Sequence, residues 1–278
     1  MATVRPDFKR MLLRLPHSPR DYPAITLVAD LAAILGADLI GTYVDDIGIR
    51  SLVDLPDARE FRAGTWQPLK AGQLALELES AMREAEQLFL RIAGQRPSAP
   101  SFRVVESASA AAQEAGSDDI LVVIEPKSPL ERATRQFSDL LEAAYRSASS
   151  ILWVPSTTRR FAGPVVVLAS EPDDPCLSAA LAIAASARER VILVPANSAV
   201  ESLLPALERA KAAGVATTLA EAVFHHDTLL LPPHIKAGLL IAGREHALPP
   251  TNPLQIPVLL ISSKRTSPAP KSGRSRPA

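Results

Sequence analysis

The chain contains a single cysteine, Cys176, among its 278 residues. Within one chain, this scarcity excludes both a disulfide framework and a cysteine-rich zinc site. Aromatic residues are also scarce, at 4% of the chain. The core must therefore be built mainly from aliphatic strands and alanine-rich helices.

An excess of charge of one sign is also absent, because 30 Lys and Arg balance 30 Asp and Glu. The chain as a whole therefore has no electrostatic preference for nucleic acid or membrane surfaces. Apolar windows are interrupted well before the 18 residues that indicate a membrane-spanning helix. The first ten residues carry charges where a signal peptide would have an apolar core. We expect a cytoplasmic protein with no membrane or nucleic-acid partner.

What the sequence does contain is a regular alternation of short aliphatic runs with segments of helical periodicity. The first five runs predict strands at Met11–Leu15, Leu39–Val44, Phe102–Val105, Ile120–Ile124 and Ile151–Val154. Helices are predicted between them at 24–35, 69–93, 108–115 and about 136–148, with 47–68 irregular. Near-continuous aliphatic strands that alternate with helices are typical of a parallel sheet covered on both faces.

The same pattern restarts after a polar hinge at 157–163. Strands are predicted at Val165–Ala169, Val191–Val194, Val215–Leu219, Gly238–Ala242 and Val258–Ile261, with helices at 177–187 and 199–213. Prolines at 232, 233, 249, 250 and 253 disfavour the last two helices of the first unit here. We predict two tandem, doubly wound, parallel five-stranded α/β sheets of Rossmann-like type. The expected domains are residues 8–157, a shortened one at 162–264, and a disordered basic tail at 265–278.

The loop after the fourth strand, "EPKSPLER", raises the question of a ligand. In a doubly wound sheet, ligands bind beyond the carboxyl ends of the strands where strand order reverses, here the first and fourth strands. Loops at that position often use glycine, so that backbone N–H groups can approach a phosphate. This loop has no glycine. Its mixed charges are those of a solvated loop or of a remodelled ligand or partner surface.

Several segments resemble the universal stress protein family, in a tandem arrangement. "MLLRLPHS" (11–18) is similar to the family's opening strand, "ADLAAILGADLIGTYVDD" to its first helix and second strand, and "AAQEAGSDDILVV" to the helix and strand before its nucleotide loop. Residues 119–155 align with its closing segment without a gap. The resemblance implies a stress-associated protein. It also implies that the halves pack as an internal pseudo-dimer through their final strands, with Trp153 buried there, and that a homodimer can form.

The resemblance also assigns positions to the family's nucleotide pocket, most of which are substituted. The three loop glycines correspond to Ile124, Lys127 and Phe137, and the hydroxyl that follows them is kept as Ser138. The acidic residue after the first strand corresponds to Pro16, the glycine beside it to His17, and its serine is kept as Ser18. In the second half, Gly243 keeps the first loop glycine.

Loss of the glycines has a predictable cost. A hydrogen bond to a charged group contributes ~1.5–3 kcal/mol. Losing two phosphate-facing N–H groups would cost roughly 3–6 kcal/mol, or on the order of 10²–10⁴ in affinity. We therefore expect no tightly bound cofactor and disfavour ATP.

Three functions remain open at this point. The leading hypothesis is a non-enzymatic stress-response regulatory or interaction protein with an unidentified protein partner. The second is an adenine-nucleotide (ATP or AMP) binding protein with a remodelled pocket around Lys127 and Gly243. The third is a nucleotide hydrolase, which would need a phosphate cradle or an acidic metal-binding cluster that the sequence does not offer. We assign no catalytic residue, and His225, His226, Asp227, His234 and His246 lack the spacing of a metal site.

Overall fold

A computed structural model describes most of the chain: residues 8–15, 22–45, 47–97, 99–155, 158, 162–196, 200–220, 223–225, 228–230, 235–246 and 255–262. We refer to 8–155 as the N-terminal half and to 162–262 as the C-terminal half. None of the described helices combines the length and the apolar character needed to cross a membrane.

The described residues of the N-terminal half form five strands of one sheet, an inserted hairpin and six α-helices. In chain order the elements are β1 (Arg10–Arg14), α1 (Tyr22–Leu35), β2 (Asp38–Val44), α2 (Ile47–Ser51), β3 (Arg59–Arg62), β4 (Thr65–Pro68), α3 (Ala71–Ala93), β5 (Ser101–Val105), α4 (Ala108–Gln113), β6 (Asp119–Ile124), α5 (Pro129–Arg132), α6 (Arg135–Arg146) and β7 (Ser150–Val154).

The C-terminal half contributes five more strands to the same sheet. Its elements are β8 (Val165–Ala169), α7 (Pro175–Ala187), β9 (Val191–Pro195), α8 (Leu204–Ala212), β10 (Thr217–Leu219), β11 (Val223–His225), β12 (Thr228–Leu230), β13 (Leu239–Gly243) and β14 (Val258–Ile261). Between β10 and β13, and between β13 and β14, the described residues form no α-helix.

The ten strands form one sheet in the order β10-β9-β8-β13-β14-β7-β6-β1-β2-β5. Within each half the pairing is parallel and the first strand lies between the second and the fourth. The doubly wound five-stranded arrangement is thus confirmed in both halves. The strands are buried because aliphatic side chains project from both faces: α1, α3 and α7 cover one face, and α4 and α6 cover part of the other.

The two halves join through their final strands, as expected for a shared edge. β14 pairs antiparallel with β7, placing Val258 opposite Trp153 and Leu260 opposite Ile151. Trp153 is 6% exposed, which confirms its predicted burial. Its indole N–H has no hydrogen-bond partner within the described part of the chain. The backbone N–H of Ser262 donates to the Ser150 hydroxyl at 3.1 Å.

Some predicted local structure differs from the sequence interpretation. The segment 47–68, expected to be irregular, contains α2 and the β3–β4 hairpin, and the segment around His225 forms the β11–β12 hairpin. The long helix predicted at 69–93 is present as α3, and only its Phe89 and Ala93 are fully buried. The tail at 265–278 and residues 226, 227 and 234 lie outside the described residues.

Candidate functional site

The predicted ligand position lies where β1 and β6 run side by side. These strands are parallel neighbours, with Leu12 opposite Leu121 and Leu13 opposite Val122. Their carboxyl ends therefore meet at one edge, as the order reversal requires. Pro16, His17 and Ser18, assigned to the β1 side of this crevice, lie outside the described residues. The β6 side is described in full.

The loop after β6 uses its own backbone donors. Glu125 donates its N–H to the Val154 carbonyl at 2.8 Å, and Pro126 has no N–H to offer. The Ser128 hydroxyl accepts from Leu130 N at 3.2 Å and so caps α5. The N–H groups of Arg132 and of the residue after it donate to carbonyls of the same turn at 3.1 Å. A short helix thus replaces an open loop.

Thr134 performs the corresponding role at the start of α6. Its hydroxyl accepts from Phe137 N at 3.3 Å and donates to the Glu131 carbonyl at 2.7 Å. The N–H of Ser138 donates to the Thr134 carbonyl at 3.1 Å, and the Ser138 side chain is exposed on the first turn of α6. The hydroxyl that engages the helix N-terminus is therefore that of Thr134. The sequence interpretation missed this residue, although a Thr just before a helical run is a typical N-cap signal.

Phe137 occupies the position of the third loop glycine as a core residue. It is 7% exposed and packs edge-on against Trp153, with ring centroids 6.2 Å apart and an interplanar angle of 62°. Edge-to-face aromatic pairs at this separation are stabilising. The substitution therefore contributes to packing between α6 and β7, a role that a glycine could not fill.

The charges of this loop are mostly paired with one another. Arg132 Nη1 lies 3.3 Å from Glu125 Oε1 and donates to the Pro126 carbonyl at 3.2 Å. Ile124 is half-buried at the end of β6, opposite Val154. Lys127 is exposed at the turn and brings a positive charge to the mouth of the crevice. A single flexible ammonium attracts an anion as a point charge but does not orient it.

The equivalent crevice in the C-terminal half lies between β8 and β13, and carboxylates line it. Asp174 caps α7 by accepting from Cys176 N at 2.8 Å and from Ser170 N at 3.1 Å. Gly243 ends β13, and the Glu245 carboxylate folds back over its Cα. Burial raises the pKa of the Cys176 thiol, and the negative charges of Asp174 and Glu245 raise it further. This environment opposes a phosphate.

Arg244, which directly follows Gly243, connects the two halves. Its Nη1 donates to the carbonyls of Ser147 and Ser149 at 2.6 and 2.7 Å, and its Nη2 donates to those of Ala144 and Tyr145 at 3.3 and 2.5 Å. These carbonyls belong to the last turn of α6 and the residues just beyond it, where acceptors lack helical partners and a cation is favoured. Partial burial lowers the pKa of Arg244. The loop of one half thus caps a helix of the other.

Comparison with solved structures identifies a protein with a similar architecture. A universal stress protein from Archaeoglobus fulgidus aligns over 91% of this chain and 96% of its own, with a TM-score of 0.61 and 13% sequence identity. The chain has the universal stress protein fold.

Two other solved structures align less well. A functionally unknown protein from Pseudomonas aeruginosa PAO1 is 14% identical, with 94% of each chain covered and a TM-score of 0.47. A universal stress protein in complex with cAMP is 15% identical, covers 54% of this chain and 98% of its own, and has a TM-score of 0.35. No family model and no curated protein matches the chain significantly.

In each half of this universal stress protein fold, the loop after the fourth strand forms contacts that hold the structure together. The N-terminal loop closes on itself through Ser128 and Thr134, and the C-terminal loop sends Arg244 into the opposite half. Of the positions assigned from sequence, Ile124, Lys127 and Ser138 lie along one loop and the following helix turn. Gly243 lies on the far side of the β7–β14 joint.

Proposed function

We propose that this chain is a non-enzymatic regulatory or interaction protein of the stress response that does not bind ATP tightly. The association with stress comes from the fold it shares with the Archaeoglobus fulgidus protein. On this proposal the fold acts as a scaffold, and its former phosphate loops hold the two halves in place. We place the protein in the cytoplasm.

One observation carries the proposal: several backbone donors of the β6 loop, and of the helix starts that follow it, are already in use. The N–H groups of Leu130, Arg132, Phe137 and Ser138 all donate within the segment 128–138. An incoming phosphate would have to break these bonds and would meet Phe137 instead of a bare backbone. Each bond to the anion would then be partly offset by the loss of a helix or cap bond, each of about 0.5–1.5 kcal/mol.

Titration calorimetry of the full chain with Mg·ATP tests this proposal. We expect no binding at micromolar concentrations. Dissociation constants in the micromolar range or below would contradict it. In that event Lys127→Ala, beside the matched exposed-loop change Glu131→Ala, would show whether the nucleotide occupies the predicted crevice.

A second function, an adenine-nucleotide (ATP or AMP) binding protein with a remodelled pocket, is supported by one observation at Gly243. The atoms nearest to the space over this glycine belong to the far end of the Glu245 side chain, so rotation of that side chain would widen the space over the backbone. A thermal shift screen with ATP, AMP and cAMP, with and without Mg²⁺, tests it. This function predicts a raised melting temperature that increases further in Glu245→Gln, since that change removes a negative charge. No shift in either protein would exclude it.

A nucleotide hydrolase is not supported by any contact at these loops. It would require ATP turnover that depends on Lys127. A phosphate-release assay on the wild-type chain and on Lys127→Ala distinguishes it from the proposed function, since turnover in the wild type that is lost in the variant would establish an enzyme.

A further inference from the structure

The inserted β3–β4 hairpin has two chemically different faces. Residues are paired Arg59–Pro68, Glu60–Gln67, Phe61–Trp66 and Arg62–Thr65. Since side chains alternate across a strand, Glu60, Arg62, Thr65 and Gln67 share one face, and Arg59, Phe61, Trp66 and Pro68 share the other. We call the second set the outer face.

The polar face fixes the hairpin to the body of the protein. Arg62 Nη2 lies 2.5 Å from Glu77 Oε1 on α3 and 3.3 Å from Glu60 Oε2. At the base, Leu69 N donates to the Ala58 carbonyl at 2.9 Å. The hairpin therefore stands in a defined orientation, with its outer face turned away from the helix that anchors it.

The outer face exposes two large aromatic side chains. Phe61 is 62% and Trp66 65% exposed, and their ring centroids lie 5.4 Å apart. Aromatics are only 4% of this chain, and the other tryptophan is buried. Trp and Arg are also the residue types most enriched among those that dominate binding energy at interfaces. A ribbon that presents Trp66, Phe61 and Arg59 has the composition of a binding surface.

Two further exposed apolar side chains precede the hairpin in the chain. Leu52 and Leu55, in the turn that leads into β3, are 45% and 56% exposed. An exposed aromatic pair with exposed leucines close to it in sequence is typical of an interaction site.

The charges around the aromatic pair indicate the partner. Asp54 and Asp57 precede the hairpin and Arg59 lies at its base, all three are exposed, and none forms an ion pair with another described residue. A small apolar surface that carries both signs allows opposite charges to pair across a two-fold contact with a copy of itself, whereas a partner of one sign would repel part of it. Two-fold contacts of one patch with itself are also the commonest form of protein assembly.

The available area fits a modest dimer. If an aromatic side chain buries about 150–250 Å², the exposed parts of Phe61 and Trp66 amount to roughly 190–320 Å². A standard interface takes about 800 Å² from each partner. The exposed leucines and charged residues that precede the pair in the chain can supply the remainder. We propose that the outer face of the β3–β4 hairpin binds the same face of a second copy of this chain.

Sedimentation velocity of the full chain over a range of concentrations tests the proposal. We expect a monomer–dimer equilibrium in the micromolar range. The double variant Phe61→Ser, Trp66→Ser should raise the dissociation constant at least about tenfold, because it removes both central side chains. Leu130→Ser is the matched control: Leu130 is 82% exposed on α5, remote from the hairpin in sequence. This control should leave the dissociation constant unchanged. A wild-type chain that stays monomeric at high micromolar concentration, or a dimer that the double variant leaves intact, would overturn the proposal.

Fluorescence gives an independent test that does not depend on the folding of the double variant. With two tryptophans in the chain, Trp153→Phe leaves Trp66 as the only indole. Its emission should move to shorter wavelength as concentration rises through the dimerisation range, and acrylamide should quench it less. Emission that is independent of concentration while the chain associates would place the interface elsewhere and refute the proposal.

Discussion

Phe137 shows how one side chain alters what a binding loop can do. Its ring is buried beside Trp153 at the joint between the halves, while its backbone N–H is held by the Thr134 hydroxyl. Both the space and the donor that a glycine would leave for a phosphate are therefore in use. Replacing Phe137 with glycine would remove this packing but would leave the capping hydrogen bonds around it in place.

We predict that Phe137→Gly destabilises the chain and does not create an ATP site. Loss of a buried phenylalanine typically costs about 3–5 kcal/mol, and glycine within a helix adds up to roughly 1 kcal/mol. Urea unfolding measures the first effect and calorimetry with Mg·ATP the second. Ser138→Ala, a change on the same turn at an exposed position, should stay within about 0.5 kcal/mol of the wild type. Micromolar ATP binding by Phe137→Gly would contradict the prediction.

Cys176 gives a second prediction at the residue scale. Burial and the nearby Asp174 carboxylate raise the pKa of its thiol, so thiolate is scarce at neutral and mildly alkaline pH. We expect negligible labelling by a thiol-disulfide reagent in native buffer and full labelling in denaturant. Rapid stoichiometric labelling of the folded chain at pH 8 would show that the thiol is accessible and ionised.

At the scale of elements, α6 is stabilised at its two ends by different halves of the molecule. Thr134 caps its N-terminus from within the N-terminal half, and Arg244 caps its C-terminus from the C-terminal half. The helix also carries the core residues Phe137, Leu140 and Ala144. The position of α6 therefore depends on the relative placement of both halves.

Arg244→Ala should destabilise the chain by about 2–4 kcal/mol, because several carbonyls lose a charged donor at once. Arg244→Lys should recover only part of this, since an ammonium cannot reach four acceptors in a fork. Hydrogen exchange should speed up most in the last turn of α6. The matched control is Arg146→Ala on the same helix: Arg146 forms an exposed pair with Glu142, whose loss should cost less than about 0.5 kcal/mol. Equal effects of the two alanine variants would rule out the capping role.

At the scale of the whole molecule, the β7–β14 joint makes one sheet from two halves. Trp153 faces Val258 across it, and both side chains belong to the same apolar cluster. A charge introduced here would have no partner and would be surrounded by residues of both halves. The free energy of unfolding lost when that charge is buried therefore measures how much the β7–β14 joint contributes to stability.

We expect Trp153→Asp to cost more than about 3 kcal/mol and to separate the unfolding of the two halves into distinct transitions. Trp153→Phe should be far milder, because it keeps an aromatic ring and removes an unpartnered buried N–H. Calorimetric and urea unfolding would compare the two. Unchanged cooperativity and size in Trp153→Asp would contradict a joint built on this residue.

The sequence predicts the strands well because burial on both faces demands uninterrupted aliphatic runs such as "ILVVI" and "VVVLA". It does not predict the β3–β4 hairpin, since "REFR" and "TWQP" are only four residues long with one aromatic each, and their turn is Ala63-Gly64. Both turn residues have positive φ, 50° and 84°, and a turn of this kind usually carries Asn or Asp before the glycine.

The contacts of the candidate site were only partly predictable. The position of the loop after β6 follows from strand order, and its lack of glycine can be read directly from the sequence. The role of Arg244 could not be predicted from the sequence, because its four acceptors lie about a hundred residues earlier in the chain and are backbone atoms. Such a contact depends on how two remote segments meet, which no local pattern encodes.

The antiparallel joint also sets an order of events during synthesis. Residue Val154 ends β7 about a hundred residues before Val258 begins β14. At ~5–20 residues per second, the outer edge of β7 stays open on the ribosome for roughly 5–20 s. An open strand edge accepts any strand of matching pattern, so β14 of a neighbouring nascent chain can fill it. Strong overexpression should therefore yield a fraction of strand-exchanged dimers that, unlike the hairpin contact, persist on dilution.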